Sequence, residues 1–204
     1  MNFSRTWIYY LIYPIVRLVF FAAHPVFHVE GREHIPDGPY ILCCNHSSGS
    51  DPFWVIFAVR PKKVFRFLAK AEFRKVPVVR TLMRLFGVIF VDRGHHDTAA
   101  MDKARADIRG GDQMMIFPEG TRVHPGQRVA AKCGAIQLAQ ECGVPVLPMY
   151  LTHDKKLFRP LRAVIGEAYD PIPDGQPRPR DEMKVLAGEL LEKIYALGEK
   201  PCET

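Results

Sequence analysis

Short apolar runs separated by polar, turn-forming segments dominate the pattern along this 204-residue chain. Five runs have the length and composition of strands: residues 40–44, 87–91, 113–117, 144–151 and 163–169. Three intervening stretches have the spacing of helices: residues 97–109, 132–140 and 183–194. Alternation of strands with helices predicts an α/β fold with a mostly parallel, mixed sheet flanked by helices.

Other segments carry weaker signals. Residues 26–39 predict a short edge strand and a turn, 64–69 a strand, 77–85 a helix and 171–180 a Pro-rich surface loop. The apolar run 144–151 contains Pro145 and Pro148. Because proline cannot donate to a strand ladder, we expect that strand to lie at a sheet edge or to be bulged.

The N-terminal residues 7–23 are almost all apolar. As a helix they would rise roughly 26 Å, slightly less than a hydrocarbon core of about 30 Å. Arg17 and Pro14 disfavour a crossing, so we expect residues 1–25 to form an apolar helix lying in a membrane interface. A buried helix, and a spanning helix or signal peptide, are the alternatives. Residues 26–204 then form a single domain, at the cytoplasmic face of a membrane as a peripheral or monotopic protein.

Charge and cysteine content narrow the classes of partner. The net charge of +6 favours anionic partners, such as a membrane surface, a phosphorylated substrate, an acidic carrier or nucleic acid. Residues 60–84 hold nine Lys or Arg and only one acid, Glu72, which suits a bilayer or an acidic carrier, or is simply a solvated face. No nucleic-acid-binding signature is present. The five cysteines form no Cys-x-x-Cys, which disfavours zinc sites and disulfides and fits a reducing compartment.

Three polar segments each follow an apolar run directly: residues 45–51, 92–94 and 118–122. Ligands of parallel α/β sheets bind at the carboxyl ends of the strands, so we expect these segments to share one pocket. His46 suits proton transfer near neutral pH, and Asp51 could orient its imidazole. Alternatively, Asp51 before Pro52 is a plain helix start with Asp as the N-cap.

Four motifs stand in order along the chain: Asn45-His46-x-x-x-x-Asp51, residues 87–93 ending in Asp92-Arg93, residues 117–122 containing Glu119-Gly120-Thr121-Arg122, and residues 144–148. Together they resemble the motifs of the glycerolipid acyltransferases, most closely the 1-acylglycerol-3-phosphate acyltransferases, over about residues 28–170. Lys132-x-Gly134-Ala135 resembles a further segment of that family. The chain departs from the family pattern at Gly49-Ser50, Val123 and Cys133, and its N-terminal apolar region is short.

The resemblance implies acyl transfer from an acyl thioester (acyl-CoA or acyl carrier protein) to the hydroxyl of a lysophospholipid, without a metal or another cofactor. It implies His46 as general base, Asp51 as its orienter and Arg93 as a ligand of the acceptor phosphate. It places the other substrate-binding residues at Asn45, Glu119, Gly120, Thr121, Arg122 and Lys132. From the residues alone, Arg93 could instead pair with Asp92 or Asp97, Glu119 could cap or pair, and Lys132 could be an ordinary helix lysine.

Two competing interpretations of the sequence remain. A covalent mechanism could use Ser47, Ser48, Ser50, Cys43 or Cys44, although no Gly-x-Ser-x-Gly elbow exists. A basic, non-catalytic protein that binds a lipid surface would explain the charge and the N-terminal helix, but not the pairing of His46 with Asp51. The acyl-transfer reaction also needs oxyanion donors, for which the backbone of residues 47–50 is the candidate.

Overall fold

The computed structural model describes residues 3–61, 65–72, 80–81, 83–84, 87–91, 98–124 and 126–199. Its strands are β1 (Phe27–Glu30), β2 (Ile41–Cys44), β3 (Arg66–Lys70), β4 (Val88–Val91), β5 (Met114–Ile116), β6 (Val146–Leu151) and β7 (Leu161–Ile165). Its helices are α1 (Phe3–Ala23), α2 (Asp51–Val59), α3 (Thr98–Arg109), α4 (Gly134–Cys142) and α5 (Arg180–Glu199). The α/β fold predicted from the sequence is confirmed.

These strands form one sheet in the order β1-β7-β6-β2-β5-β3-β4. Every neighbouring pair is parallel except β6 and β7, which are antiparallel, so the sheet is mostly parallel and mixed, as predicted. Strands β2 to β6 therefore end at the same edge, which we call the carboxyl edge. The loops that follow β2, β5 and β6 meet there.

The sheet is covered on both faces, which explains why its central strands are apolar throughout. On β2, Ile41 and Cys43 pack among side chains of α3, α4 and α5. The alternate residues Leu42 and Cys44 pack on the opposite face with α2 and the second half of α1. All four are fully buried, so β2 is held rigidly just before the loop that carries His46.

The prediction that residues 144–151 form an edge strand is wrong, because β6 lies inside the sheet, between β2 and β7. The alternative of a bulge fits the pairing near Pro148. Met149 pairs with Ile165 and Val146 with Tyr169, so residues 147–148 of β6 face the longer segment 166–168. The Pro148 carbonyl accepts a hydrogen bond from the Gly166 N–H at 2.9 Å. The missing proline N–H therefore falls at a break in the ladder, and the strand tolerates it without lying at an edge.

Helix α1 attaches to the domain through aromatic side chains. Trp54 of α2, which is fully buried, has its ring within 6 Å of five aromatic rings: Phe20, Phe21, His24, Phe27 and Phe57. The other side of α1 exposes Ile15, Leu18 and Val19. Within the described part of the chain, no helix has both the length and the apolarity needed to cross a bilayer.

Several predicted features lie wholly or mostly outside the described residues. They are most of the helix predicted over 77–85, much of the basic segment 60–84, and the segment 92–94 with Arg93.

We expect Trp54→Ala to lower the free energy of unfolding by about 3–5 kcal/mol, because it removes a buried aromatic side chain and leaves a cavity between α1 and the sheet. Urea or guanidinium denaturation, followed by circular dichroism, measures the change. Val185→Ala, at an exposed position on α5, is the control and should stay within about 0.5 kcal/mol of wild type. Equal stability of the two variants would contradict the central packing role of Trp54.

Candidate active site

The candidate site lies at the carboxyl edge of the sheet. Residues 45–50, after β2, carry His46 and lead into α2, which begins at Asp51. Residues 117–123, after β5, and 152–160, after β6, lie on either side, because β5 and β6 are the two neighbours of β2. The convergence predicted from the sequence is therefore present for the segments containing His46 and Glu119.

His46 and Asp51 form a direct pair. His46 Nδ1 lies 2.8 Å from Asp51 Oδ2, the distance of a strong hydrogen bond. With the carboxylate as acceptor, Nδ1 carries the proton, which leaves Nε2 as the basic nitrogen of the ring. The His46 side chain is 18% exposed, whereas that of Asp51 is fully buried. The arrangement is that of a general base with an orienting carboxylate.

Asp51 does not act as a helix cap. Its Oδ2 accepts hydrogen bonds from the N–H groups of Ser47 and Ser48, both at 2.7 Å, which belong to the preceding loop. The N-cap residue of α2 is Ser50. Burial pushes the pKa of Asp51 upward, but the hydrogen bond with His46 and the contacts with Lys155 outweigh burial, so its pKa lies below its ordinary value.

Lys155 completes the surroundings of Asp51. Its ammonium nitrogen lies 2.7 Å from Asp51 Oδ1 and also donates to Ser47 Oγ at 2.8 Å and to the Thr152 carbonyl at 2.7 Å. The Lys155 side chain is 6% exposed. A buried carboxylate next to a buried ammonium is stable only when the two charges compensate each other, as they do in this ion pair.

The backbone of His46 is held from the β5 side. Its N–H donates to Glu119 Oε2 at 2.6 Å, and its carbonyl accepts from the Val123 N–H at 2.8 Å. Glu119 Oε1 accepts a short hydrogen bond from the Tyr195 hydroxyl of α5. Burial raises the pKa of Glu119 above its ordinary value, against these two hydrogen bonds. The Glu119 carboxylate is thus occupied by protein groups.

The imidazole of His46 is also stacked on the ring of Phe117, with centroids 4.1 Å apart and planes 16° apart. Asp51 and Phe117 together fix the ring both in its plane and along its normal. The pair gives the imidazole one orientation, which a positioned base requires.

The segment predicted to bind the acceptor turns at Gly120, where φ is +65°. A Cβ atom there would lie 2.6 Å from Cδ of Lys132, so the lysine side chain runs directly over the glycine. Thr121, Arg122 and Lys132 are exposed, so the turn presents two cations to solvent. The resemblance placed Glu119 to Arg122 in one acceptor-binding loop and Lys132 in a further segment, and the structure brings Lys132 onto that loop.

Two other predicted substrate-binding residues have different outcomes. Asn45 is buried, and its side-chain amide exchanges two hydrogen bonds with the backbone of Leu151, at 2.8 and 2.9 Å. It thus joins the ends of β2 and β6. Arg93 lies outside the described residues, so its substrate-binding role stays a prediction.

The expectation that the backbone of residues 47–50 supplies oxyanion donors is wrong for three of the four amides. The N–H groups of Ser47 and Ser48 donate to Asp51, and that of Ser50 donates to Ser48 Oγ. These donors are already used in holding the loop.

The structure also weakens the covalent alternative. Cys43 and Cys44 are fully buried, and burial raises the pKa of both thiols, which disfavours the reactive thiolate. Ser47 Oγ contacts Lys155, and the Ser48 and Ser50 hydroxyls contact each other at 3.0 Å. These serine hydroxyls thus contact groups other than the base.

One cleft adjoins this region, and another lies at the opposite edge of the sheet. One of about 310 Å³ adjoins Tyr195, and its lining includes His124 and His153. A larger one, of about 600 Å³, is lined by Glu30, Ile165 and Gly166 at the opposite edge of the sheet, away from His46. Among the residues that the structure describes, no group of three or more His, Cys, Asp or Glu is arranged to hold a metal ion.

Sequence reasoning missed three residues that contact the site: Phe117, Lys155 and Tyr195. Phe117 stands two residues before Glu119 and opens the third motif, but its sequence position does not show that its ring stacks on His46. Lys155 follows β6 and belongs to none of the four motifs, so no sequence signal marks it. Tyr195 comes from the C-terminal helix, and nothing in its spacing points to Glu119.

Comparison with known proteins agrees with this geometry. A family model described as Acyltransferase matches residues 26–152. The 1-acyl-sn-glycerol-3-phosphate acyltransferase of Borreliella burgdorferi is 35% identical over 133 residues, covering 64% of this chain and 52% of that protein. The enzyme of the same name from Saccharomyces cerevisiae is 27% identical over 172 residues, covering 81% and 56%. The chain thus spans about half the length of these curated relatives.

A solved structure is similar over the whole chain. The 1-acyl-sn-glycerophosphate (LPA) acyltransferase PlsC from Thermotoga maritima matches with a TM-score of 0.72 and 26% identity, covering 100% of this chain and 86% of that one. Since the family match covers more than half of the chain and includes both His46 and Glu119, this chain belongs to the acyltransferase family.

Proposed function

We propose that this protein transfers an acyl group from an acyl thioester, carried by coenzyme A or by acyl carrier protein, to the free hydroxyl of a lysophospholipid. The names of the similar proteins favour 1-acylglycerol 3-phosphate as the acceptor, which would give phosphatidic acid in phospholipid biosynthesis. The observation that carries the proposal is the His46–Asp51 pair, held at 2.8 Å at the carboxyl edge of the sheet.

The pair supports direct transfer of the acyl group from the thioester to the acceptor hydroxyl. His46 Nε2 takes the proton of the acceptor hydroxyl while its oxygen attacks the thioester carbonyl carbon. The new C–O bond forms, the C–S bond breaks, and the thiolate leaves with the electron pair of that bond. The proton passes from the imidazolium to the sulfur. A thioester is already activated, so neither an enzyme-bound ester nor a metal or other cofactor is needed.

Asp51 supports this role because it stabilises the imidazolium that forms during the attack. Phe117 keeps the ring from turning, and Glu119 keeps its backbone from moving. Exposed Arg122 and Lys132, with Arg93, are our candidates for binding the acceptor phosphate, because guanidinium and ammonium groups both bind phosphate.

A membrane surface is the proposed partner, because the lysophospholipid acceptor and the phospholipid product reside there. Leu157 and Phe158, 67% and 68% exposed, form an apolar tip. The Phe158 N–H donates to the Ala23 carbonyl at 2.8 Å, so this tip lies at the end of α1, whose exposed face carries Leu18 and Val19. Exposed apolar groups with a positive net charge suit docking on the cytoplasmic face of an anionic bilayer.

The function is tested by offering the purified protein radiolabelled acyl-CoA and acyl carrier protein thioesters with phosphorylated and unphosphorylated lysolipid acceptors. Transfer to 1-acylglycerol 3-phosphate is the expected result, and the better donor identifies the carrier. Lipid binding without transfer to any acceptor would instead support a non-catalytic lipid-binding protein.

We expect His46→Ala to lower turnover at least about 10²-fold, the usual contribution of a positioned base. The fold should persist, because the backbone hydrogen bonds of His46 do not need its side chain. Initial rates and melting temperature are measured together. His28→Ala, an exposed histidine on β1, is the matched control and should keep wild-type activity. Near-normal turnover of His46→Ala would exclude His46 as the base.

We expect Arg122→Ala to raise the apparent KM for the acceptor by roughly 10- to 150-fold, the loss of one charge-assisted contact of about 1.5–3 kcal/mol, while the donor KM changes little. Arg122→Lys should recover only part, because it keeps the charge but loses the planar fork. Arg128→Ala, an exposed arginine six residues on, is the control. An unchanged preference for phosphorylated over neutral acceptors in Arg122→Ala would remove Arg122 from the phosphate site.

We expect the double variant Leu18→Ser, Phe158→Ser to bind anionic vesicles at least about 10-fold more weakly than wild type, since each buried apolar side chain contributes about 1.5–3 kcal/mol. Point changes are preferred to deletion of α1, because Phe20 and Phe21 pack on Trp54. Vesicle co-sedimentation measures binding, with Val185→Ser on α5 as the control. Wild-type binding by the double variant would place the docking surface elsewhere.

A further inference from the structure

Lys155 stands apart from the other basic residues of its loop. It is 6% exposed, whereas its neighbour Lys156 is 73% exposed. Its ammonium donates hydrogen bonds to Ser47 Oγ at 2.8 Å and to the Thr152 carbonyl at 2.7 Å, and it forms an ion pair with Asp51 Oδ1 at 2.7 Å. Burying a lysine costs free energy unless it is paired in this way, so the site is built around the charge.

The two oxygens of Asp51 divide their partners. Oδ2 accepts from His46 and from the amides of Ser47 and Ser48, while Oδ1 faces Lys155. A carboxylate with no other cation near it would favour a protonated imidazole, since opposite charges at this distance stabilise each other. A protonated His46 cannot accept the proton of a hydroxyl. The ammonium offsets that attraction from the far side of the carboxylate.

We propose that Lys155 is a positioning residue of this site: its ammonium pairs with Asp51 Oδ1 and offsets the carboxylate charge, so that the imidazole of His46 can act as the proton acceptor. The inference rests on the proposed acyl transfer only in the kinetic part of its test. None of the sequence motifs contains Lys155.

The other titratable groups around the pair come from four elements. Glu119 follows β5 and contacts the His46 backbone, and Tyr195 of α5 contacts Glu119. Cys44 ends β2, and His153 lies in the Lys155 loop. The pKa of Cys44 and that of Tyr195 are raised, chiefly by burial, so both are neutral near pH 7. Lys155 is therefore the cation in contact with Asp51 from the side opposite His46.

The test follows the protonation of His46 directly. The full-length protein in detergent micelles is titrated by NMR, using the imidazole Cε1–H signal of His46, assigned by its loss in His46→Gln. We expect the titration midpoint to move up by about one pH unit in Lys155→Met, because a compensating charge in contact with the carboxylate is lost. The acid limb of kcat/KM against pH should move in the same direction, leaving about 10-fold less activity on that limb.

Three further variants make the result specific. Lys155→Arg keeps the charge, so its midpoint should stay close to that of wild type. Lys155→Gln keeps a hydrogen-bond donor without the charge, so it should show the same upward shift of the midpoint. It replaces Lys155→Met if that variant fails to fold. Lys156→Met removes an exposed lysine from the same loop and should leave the midpoint unchanged, since exposed charges are screened.

An unmoved midpoint in a folded Lys155→Met or Lys155→Gln variant would overturn the proposal. A purely structural lysine would lower the melting temperature and leave the midpoint in place. A substrate-binding lysine would raise the acceptor KM and leave the midpoint in place. Because the NMR titration needs no substrate, it decides the role of Lys155 even if the transfer assay shows no activity and the proposed function fails.

Discussion

The buried carboxylate of Asp51 is the interaction on which this site depends. A carboxylate without solvent must find partners for both oxygens, or it loses its charge or destabilises the fold by several kcal/mol. Here the partners are an imidazole, two loop amides and a buried ammonium. The loop between β2 and α2 therefore folds around the side chain of Asp51. Changing Asp51 alters the shape of the loop and the state of the base together. Lys155 contacts only one of the two Asp51 oxygens, so a change at Lys155 separates the two effects better.

A second set of contacts ties His46 to the rest of the domain. Its backbone N–H and carbonyl are both bonded to residues 119–123, and its ring lies on Phe117, so the loop after β5 holds the base on three sides. Strands β2 and β5 are adjacent and parallel, which brings these loops together without any long connection. Helix α5 also reaches this network through Tyr195, which lies 76 residues further along the chain than Glu119. The position of α5 therefore influences the base.

The sequence could predict what depends on local pattern and on sheet topology. Alternating apolar strands and helices predicted the α/β sheet, and the rule that parallel strands end at one edge brought His46 to Glu119. It could not predict contacts that depend on side-chain burial. From the sequence, Glu119 could bind substrate or pair with protein groups, and only the structure shows that both oxygens accept from protein donors. The two prolines of residues 144–151 left an edge strand and a bulge open, and only the structure shows an interior strand with the ladder offset near Pro148. Lys155 lies in a loop without a motif, so its contact with Asp51 depends on the folded loop alone.

The loop after β6 links the site to the proposed docking surface over a very short distance. Lys155 contacts Asp51, and the exposed Leu157 and Phe158 follow within three residues, which span at most about 11 Å of extended chain. Phe158 has a φ of +62°, uncommon for a bulky residue, and its N–H is held by the carbonyl of Ala23. A loop anchored at both ends cannot shift at its tip without moving the lysine. If lipid surrounds the apolar tip, the bilayer and the carboxylate that orients His46 restrain the same short segment. The acceptor hydroxyl would then meet its base within a few residues of the membrane surface, where a lysophospholipid presents it.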